Sequence, residues 1–393
     1  MSMPRAVRQA NEIRTLDVLL KKGPMSRADL ARELSITRAT ASSLVSALVG
    51  AGFLAENSEV SEERSNRTGR PSIQVALRPQ HAIFLGAYIT VGRITLSAID
   101  LNANVLAVDV KDYKHKIATA EHVAEILAKR VQEFTARLPS LDRIRGLNIA
   151  VPGLVDLSDT IIRAPMLGWQ NVAFKQMVQR HLPDIRVEKL DNDANAFAFE
   201  ELYMGKRADM REAVYVFIDA GVGGCLVCNG EILRGASGYA GEIGHIIVGE
   251  HGYFSPTNVE GTFESYVARG AVLERHKAYG GQANSIFEFI TKFEAGEEAA
   301  QNTLKDWSYH LGRGIATITS VLNPERIILG GAVARLFPYI ETDVVVSMRA
   351  HLMPNSMEPI IERSKTGVEA PAIGAARMLH RDYFALGTDE PTV

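Results

Sequence analysis

The sequence has little of what marks extracellular or membrane proteins. Its 393 residues include only two cysteines, Cys225 and Cys228, which excludes a disulfide framework and favours a reducing compartment. No apolar run approaches the roughly 20 residues that a membrane span needs. The first residues lack the apolar stretch and cleavage site of a signal peptide. We therefore expect a cytoplasmic protein, long enough for two or three domains.

The two cysteines have the C-x-x-C spacing of some metal and redox sites. The surrounding GGCLVCNG segment, however, predicts a strand after a glycine turn. Residues three apart on a strand point to opposite faces, so the thiols should diverge. We interpret both as small apolar side chains.

Charge is unevenly distributed along the chain, whose formal net charge is −3. Residues 1–80 contain 12 Lys or Arg and 8 Asp or Glu, whereas the remainder contains 31 and 38. This asymmetry suggests an anion-binding head on an acidic body.

The first 50 residues carry the pattern of three helices. An apolar stripe over residues 10–20 ends at Gly23-Pro24; Ser26 can cap a second helix, and Thr37 a third one through Ala47 or Leu48. Two short helices joined by a tight turn are typical of a helix-turn-helix. The outer face of the third helix carries short or forked donors that suit phosphates and base edges, and these are the candidate DNA-binding residues Thr37, Arg38, Thr40, Ser42 and Ser43.

Two predicted strands follow, at residues 53–55 and 73–77, around a polar loop that contains Arg67 and Arg70. This pattern predicts a winged helix-turn-helix over residues 1–80, with the loop arginines on phosphates or in the minor groove. The alternative is a three-helix packing module that binds no DNA. A DNA-binding head on a ligand-sized domain is typical of a regulator.

The remainder predicts two rounds of strands and helices. Strands are expected at 83–90, 93–100, 104–110, 144–151, 213–218, 224–229, 231–233, 246–248 and 327–329, and helices at 118–138, 264–276 and 304–322. This repetition favours a duplicated α/β architecture with a ligand cleft between its halves.

A cluster of polar residues lies in the segment 241–266. Glu242 and His245 are three residues apart among glycines, and Glu264 follows after a loop. Two carboxylates and an imidazole could bind a metal, carry out acid/base chemistry or hold a polyhydroxylated ligand.

Several long motifs occur in one order along the chain: VPGLVD (151–156), APMLGWQN (164–171), DNDANAFAFEE (191–201), DAGVGGCLVCNGEILRGASGYAGEIGH (219–245) and IILGGAVA (327–334). Together they resemble the ROK family of bacterial sugar kinases and sugar-responsive repressors. The N-terminal head and Gly69-Arg70-Pro71 are similar to the repressor branch. The resemblance implies an actin/hexokinase-like fold with lobes at 81–190, completed by a C-terminal helix at 371–393, and at 191–370, which carries a dimerisation surface.

The resemblance also implies a sugar site, formed by Asn192, Asp193, Glu242, His245 and Glu264. Carboxylates accept hydrogen bonds from sugar hydroxyls, and an amide or imidazole can donate or accept. In a kinase, Asp193 would be the general base; another interpretation makes it only the N-cap of the following helix. We expect neighbouring loops such as Leu167-Gly168-Trp169 to discriminate between sugars.

Two departures from the family pattern bear on activity and cofactors. The kinase phosphate turn, Asp-x-Gly-Gly-Thr, falls on Tyr88 to Gly92, although Gly221 to Gly224 preserve the second turn. We therefore predict no enzymatic activity, with Asp193 as a vestigial general base. The cysteines of the family's structural zinc loop are replaced by hydroxyl residues, so we expect no metal and no cofactor; the replacements are Ser255, Thr257 and Thr262.

The sequence thus predicts a cytoplasmic, sugar-responsive DNA-binding regulator of carbohydrate metabolism genes, of the repressor type. Its expected partners are double-stranded operator DNA, a monosaccharide or sugar derivative, and further copies of itself in a homodimer or homotetramer. Two alternatives stay open: a sugar kinase with an appended head, and a regulator with a vestigial pocket that responds to a partner protein.

Overall fold

The computed structural model describes residues 5–57, 73–113, 118–139, 141–203, 210–254 and 259–386. The helices in these ranges are α1 (Arg5–Lys22), α2 (Arg27–Glu33), α3 (Arg38–Gly50), α4 (Ala120–Thr135), α5 (Phe174–His181), α6 (Asp193–Leu202), α7 (Phe263–Val267), α8 (Arg269–Ala278), α9 (Ile286–Glu294), α10 (Glu298–Leu322), α11 (Glu341–His351) and α12 (Ala370–Leu386). The strands are β1 (Met25–Ser26), β2 (Leu54–Asn57), β3 (Gln74–Leu77), β4 (Ile83–Thr90), β5 (Arg93–Asp100), β6 (Val105–Asp112), β7 (Ile144–Val151), β8 (Leu154–Val155), β9 (Ile161–Ala164), β10 (Trp169–Val172), β11 (Val187–Asn192), β12 (Ala213–Ile218), β13 (Val222–Cys228), β14 (Glu231–Ile232), β15 (Arg326–Gly330) and β16 (Ile360–Arg363).

The N-terminal head consists of α1 to α3 and a small antiparallel sheet in the order β1-β3-β2. Ser26 caps α2 by accepting from the Asp29 amide, and Thr37 caps α3 by accepting from the Thr40 amide. The three predicted helices and two predicted strands are present. The two-residue strand β1 is too short to leave a pattern in the sequence.

The first lobe contains a five-stranded sheet in the order β11-β7-β4-β5-β6. Alternate residues of β4 face opposite sides of it. On one side, Leu85 packs in a core with Val123 and Leu127 of α4. On the other side, Gly86 meets α12, where an added Cβ would lie 2.0 Å from the Ala372 carbonyl oxygen. The sheet is therefore covered on both faces.

The second lobe contains a five-stranded sheet in the order β14-β13-β12-β15-β16. In both sheets the first strand pairs antiparallel with the second and parallel with the fourth, which is parallel to the fifth. The predicted duplication is thus present. One face of β12 packs on Phe197 of α6, and the other packs on Trp307 and Leu311 of α10.

Two predicted elements of the second lobe are wrong. No strand forms at residues 246–248: Ile243–His245 is a 3-10 turn, and the segment makes one isolated bridge, from Ile247 to Thr262. Ile246 and Val248 pack towards the core while Ile247 is exposed, which mimics strand alternation away from either sheet. The predicted helix 264–276 is two helices, α7 and α8, because Ala268 between them is extended.

Helices α6 and α12 connect the lobes to the head. The helix predicted at 371–393 is α12 as far as Leu386, and residues 387–393 lie outside the described ranges. Gly374 packs α12 onto α6 so closely that an added Cβ would lie 1.8 Å from the Ala196 carbonyl oxygen. Farther along α12, Leu379 and Phe384 share one core with Leu16 and Leu19 of α1. Within the described residues, no helix has the length and apolarity needed to cross a membrane.

Candidate functional site

A cavity of about 310 Å³ lies between the two sheets, at the small end of the range of roughly 300–1,000 Å³ for ligand sites. All five residues of the predicted sugar site line this cavity: Asn192, Asp193, Glu242, His245 and Glu264. Its apolar wall is formed by Pro152, Leu154, Met166, Phe217, Val222 and Val259. Polar groups separated by 72 positions of the sequence therefore converge on one small space.

Asn192 has a structural role in addition to lining the cavity. Its Oδ1 accepts from the Ala194 amide at 2.8 Å, so Asn192 is the N-cap of α6. Its Nδ2 donates to the Gly153 carbonyl oxygen at 2.9 Å. The interpretation of Asp193 as the N-cap is wrong, because the cap lies one residue earlier and Asp193 is the first residue of the helix. Asn192 thus holds the 153 loop against the start of α6.

Asp193 is buried, with only 6% of its surface exposed. Its Oδ2 accepts a hydrogen bond from the Tyr88 hydroxyl at 3.2 Å. Burial raises the pKa of Asp193 to about 6, the Tyr88 hydrogen bond opposes the rise, and the charge of Asp219 adds to it. Asp193 is therefore a buried acceptor close to its titration range at neutral pH.

Glu242, His245 and Glu264 come from the other side of the cavity. Burial raises the pKa of Glu242 to about 7, with further contributions from Asp193 and Glu264. Glu264 lies in the first turn of α7 and is 5% exposed. The His245 ring is more open, and its Nε2 lies 4.0 Å from Glu242 Oε2. Carboxylates surrounded by apolar wall can accept hydrogen bonds from a neutral, hydroxyl-rich ligand.

Glycines allow the segments of the site to approach one another. Gly223 lies against the start of α6, where an added Cβ would be 2.9 Å from Ala194 Cβ. Gly241, immediately before Glu242, has φ +102°, and an added Cβ would be 2.3 Å from the Gly224 carbonyl oxygen. Only glycine tolerates this conformation and this contact.

Among the cavity residues that sequence reasoning missed are Tyr88, Phe217 and Asp219. They line both this cavity and an adjoining one of about 180 Å³. Tyr88 was identified only as a departure from the kinase turn. Asp219 pairs with Arg269, its Oδ1 lying 3.1 Å from Nη1, yet burial still raises the pKa of Asp219. Cationic side chains line the second cavity: Arg93, Arg335, Arg363 and Lys365.

The loop Leu167-Gly168-Trp169, which was expected to discriminate between sugars, does not line the cavity. Leu167 and Trp169 are buried, and the Trp169 indole donates to the Ala118 carbonyl oxygen at 3.0 Å. The preceding residues Arg163, Pro165 and Met166 line the cavity instead. Leu167, Gly168 and Trp169 are thus not part of the cavity wall, because tertiary packing decides which side chains of this segment face the cavity.

The segment that aligns with the phosphate turn of the kinases is a tight hairpin in which Thr90 pairs with Arg93 across Val91 and Gly92. Thr262, at a zinc-cysteine position of the family, caps α7 by accepting from the Ser265 amide at 3.3 Å. It thereby supports the helix that carries Glu264. Ser255 and Thr257 lie outside the described residues, and the absence of zinc stays a prediction.

In the head, the candidate DNA-binding residues lie at the start of α3. Thr37, Arg38 and Ser43 are exposed, whereas Thr40 and Ser42 are half-buried. Sequence reasoning missed Arg27, whose Nη1 donates to the Ser42 carbonyl oxygen at 2.8 Å and ties α2 to α3. Arg67 and Arg70 lie outside the described residues.

Comparisons with known proteins agree with this architecture. The xylose repressor of Bacillus spizizenii is 25% identical over 384 residues, which cover 96% of this chain and 97% of that protein. The glucokinase of Halalkalibacterium halodurans is 28% identical over 272 residues, covering 64% of this chain and 80% of that protein. Among solved structures, a ROK family transcriptional regulator, a homologue of the E. coli Mlc protein, has a TM-score of 0.78 at 22% identity, over 98% of this chain and 99% of that one.

The likeness to that regulator establishes the fold from the head through both lobes. The pattern of conserved positions that defines the ROK family matches residues 88–382, three quarters of the sequence. This match begins at Tyr88, within β4, and includes every residue of the cavity described above. The chain therefore belongs to the ROK family.

Proposed function

We propose that this protein is a sugar-responsive transcriptional repressor that binds operator DNA through its head and a monosaccharide or sugar derivative in the cavity between its lobes. One observation carries the proposal: a small cavity lined by Asp193, Glu242 and Glu264 occurs in the same chain as a three-helix head, and α12 packs both in the core that contains Tyr88 and Phe217 of the cavity wall and in the core of the head. The similarity to a xylose repressor over nearly its whole length supports this function.

The binding chemistry follows from the side chains that line the cavity. Each carboxylate can accept from a sugar hydroxyl, and the apolar wall can pack against C–H faces of the ring. A ligand that lacks one hydroxyl leaves a buried acceptor without its partner, so the site rejects it. The identity of the sugar depends on side chains such as Met166 and Arg163 at the cavity wall.

Packing suggests how sugar binding reaches the head. Asp193 begins α6, α6 packs on α12 at Gly374, and α12 places Leu379 and Phe384 in the core of the head. A sugar that pulls on the start of α6 can therefore shift α12. A repressor of this kind binds two half-sites as a homodimer or homotetramer, so a small shift changes the spacing of paired heads. The coupling requires about 1–3 kcal/mol of differential affinity.

The test uses two variants, one in each region, and a duplex selected by the protein from a random-sequence library. Asp193→Ala should keep the wild-type affinity for DNA and lose its response to sugar. Arg38→Ala should keep sugar binding and weaken DNA binding, because Arg38 is exposed at the start of α3. DNA binding is measured by fluorescence anisotropy and sugar binding by thermal shift against monosaccharides, sugar phosphates and N-acetyl sugars. An Asp193→Ala protein that sugar still releases normally would refute the site assignment.

A second candidate function is a sugar kinase with an appended head. It is favoured by the second cavity, which is lined by Arg93, Arg335 and Arg363 together with Gly330 and Gly331, and by the similarity to a glucokinase. Tyr88 argues against it, because it lies between the cavities in the position of the kinase acid. Sugar-dependent ADP formation by the wild-type protein would establish the kinase. If no sugar shifts the melting temperature, a regulator driven by a partner protein becomes the better explanation.

A further inference from the structure

Tyr88 occupies the boundary between the two cavities. It lies on β4 between Thr95 of β5 and Ala150 of β7, and only 5% of its surface is exposed. It lines both the cavity of about 310 Å³ and the one of about 180 Å³. Its hydroxyl donates to Asp193 Oδ2 across 105 positions of the sequence. Tyr88 is thus both a partner of the site's buried carboxylate and part of the wall behind it.

The ring of Tyr88 has little freedom to move. Paired strands hold its backbone on both sides, and the ring meets Phe217 edge to face, with centroids 6.4 Å apart at 80°. It packs in a core whose nearby members on β7 and α6 include Ala150 and Ala194. The small alanines leave space for a large ring at this point, so the direction of the hydroxyl is determined by the packing.

The hydrogen bond determines what Asp193 can offer to a ligand. Burial and the nearby carboxylates raise the pKa of Tyr88 well above its usual value, so the phenol stays a neutral donor. A donor on Oδ2 favours the ionised form of Asp193, against the burial and the charge of Asp219 that disfavour it. The other oxygen, Oδ1, lies towards Gly223, which lines the same cavity. Together with the backbone amides of Asp193 and Ala194, which also favour the charged form, the Tyr88 hydroxyl therefore helps to keep the Asp193 carboxylate an acceptor on the cavity wall.

We infer that Tyr88 is a positioning and specificity-determining residue of the sugar site: its hydroxyl orients Asp193 as an acceptor, and its ring closes the cavity behind it. This inference rests on the proposed function. It predicts that the ligand hydroxyl that meets Asp193 is unsubstituted, because a phosphate on that oxygen would collide with the ring. A smaller residue at position 88 would remove the wall between the two cavities, and such a phosphate could then extend into the second one, which Arg93 and Arg363 line.

The first measurement compares wild type with Tyr88→Phe, using D-xylose, D-glucose and N-acetyl-D-glucosamine as probes in calorimetric titrations from pH 5 to 8. Loss of the hydroxyl should weaken binding about tenfold at neutral pH. It should also move the acid limb of the affinity profile to higher pH, since Asp193 then lacks the donor that favours its charge. The pKa values of Glu242 and Asp219 are also raised, and both residues line the same cavity, as does Glu264. Because their protonation also affects binding, the role of Tyr88 is measured as the difference between the affinity profiles of the variant and the wild type.

A matched control and a second variant separate this role from simple packing. Tyr215→Phe removes a buried hydroxyl from β12, where it contacts Met210, and should leave both the affinity and its pH profile unchanged. Tyr88→Ala should admit D-glucose 6-phosphate more readily than wild type does, relative to D-glucose. Wild-type affinity with an unshifted pH profile in Tyr88→Phe would overturn the positioning role, and unaltered discrimination in Tyr88→Ala would overturn the specificity role.

A ligand-free measurement distinguishes failure of this inference from failure of the proposed function. If wild type binds no sugar in the panel, the proposed sugar site fails. The carboxyl titration of Asp193, followed by NMR with Asp193→Asn to assign its signal, then decides the role of Tyr88 alone. A higher Asp193 pKa in Tyr88→Phe than in wild type supports the positioning role, and an equal pKa overturns it.

Discussion

The two sheets share one strand order, but their first hairpins differ where they face the cleft. The β4–β5 hairpin closes with Val91 and Gly92 in a two-residue turn. The β12–β13 hairpin turns through Asp219, Ala220 and Gly221 and continues into two further glycines. The duplicated topology places both hairpins beside the cleft. Their side chains differ: the β4–β5 hairpin places the large ring of Tyr88 at the cleft, whereas the glycines of the β12–β13 hairpin allow the backbone of neighbouring segments to approach closely.

The hairpins also differ in how their charges are held. Arg93 pairs with Asp112 at the surface, where their side chains are 44% and 71% exposed. Arg269 pairs with Asp219 in the cleft, where the Asp219 side chain is 23% exposed. The first pair is screened by water, whereas the second compensates a carboxylate that burial has made costly. Three pairs of variants test this contrast.

The largest effect on the free energy of unfolding is expected from a larger side chain in the β12–β13 hairpin. Gly224→Val places Cβ 2.6 Å from the Gly241 carbonyl oxygen and from the Ile243 side chain, so the backbone before Glu242 must move. We expect a loss of about 3 kcal/mol in the free energy of unfolding. The matched change Val91→Gly at the first hairpin should cost only about 1 kcal/mol. Urea unfolding measures both, and equal losses would contradict the difference in packing.

Removing the arginine of each pair should have an intermediate effect. Arg269→Ala leaves Asp219 without its closest cation, which should cost about 1–3 kcal/mol and raise the pKa of Asp219 further. Arg93→Ala should cost less than about 1 kcal/mol, since its pair with Asp112 is solvated. Thermal unfolding at low and high salt provides the measurement. If Arg93→Ala lost more stability than Arg269→Ala, and if that loss depended on salt, the solvated Arg93–Asp112 pair would be the more stabilising one, contrary to this prediction.

The smallest effect concerns pH. Because the pKa of Asp193 is raised to about 6 in the folded protein, the folded state binds more protons than the unfolded state between about pH 4 and 6. This carboxyl therefore stabilises the fold most at low pH, and its contribution is lost as pH rises through 6. Between about pH 5 and 8, the free energy of unfolding of the ligand-free wild type should fall by about 1 kcal/mol relative to that of Asp193→Asn.

The control for the pH prediction lies at the first hairpin. Arg93 lowers the pKa of Asp112, so this carboxyl contributes stability above its unfolded pKa and loses it only in more acidic solution. The free energies of unfolding of wild type and Asp112→Asn, measured by denaturant titration, should therefore differ by a constant amount between about pH 5 and 8. If the difference in unfolding free energy between wild type and Asp112→Asn changed with pH as steeply as the difference for Asp193→Asn, burial in the cleft would not be the cause of the pH dependence.

Local patterns predicted many elements of the fold correctly. The strands Ile83–Thr90, Arg93–Asp100, Ile144–Val151 and Ala213–Ile218 have the expected bounds, because their apolar runs end at turn residues that leave a local signal. Ser26 and Thr37 were also predicted as helix caps. The strand at 246–248 failed, since alternation of burial there comes from packing against a core without a neighbouring strand.

The sequence by itself determined the helices and strands of the head and the repeated strand pattern of the lobes, because periodicity and caps are properties of neighbouring residues. The polar residues that meet in the cavity were predicted from the resemblance of the motifs to those of the ROK family. Tertiary structure alone decided the details of the site. It made Asn192 the cap of α6, turned Met166 rather than Trp169 to the cavity, and joined Tyr88 to Asp193. Such contacts depend on how strands and helices from distant parts of the chain pack, and no local pattern encodes them.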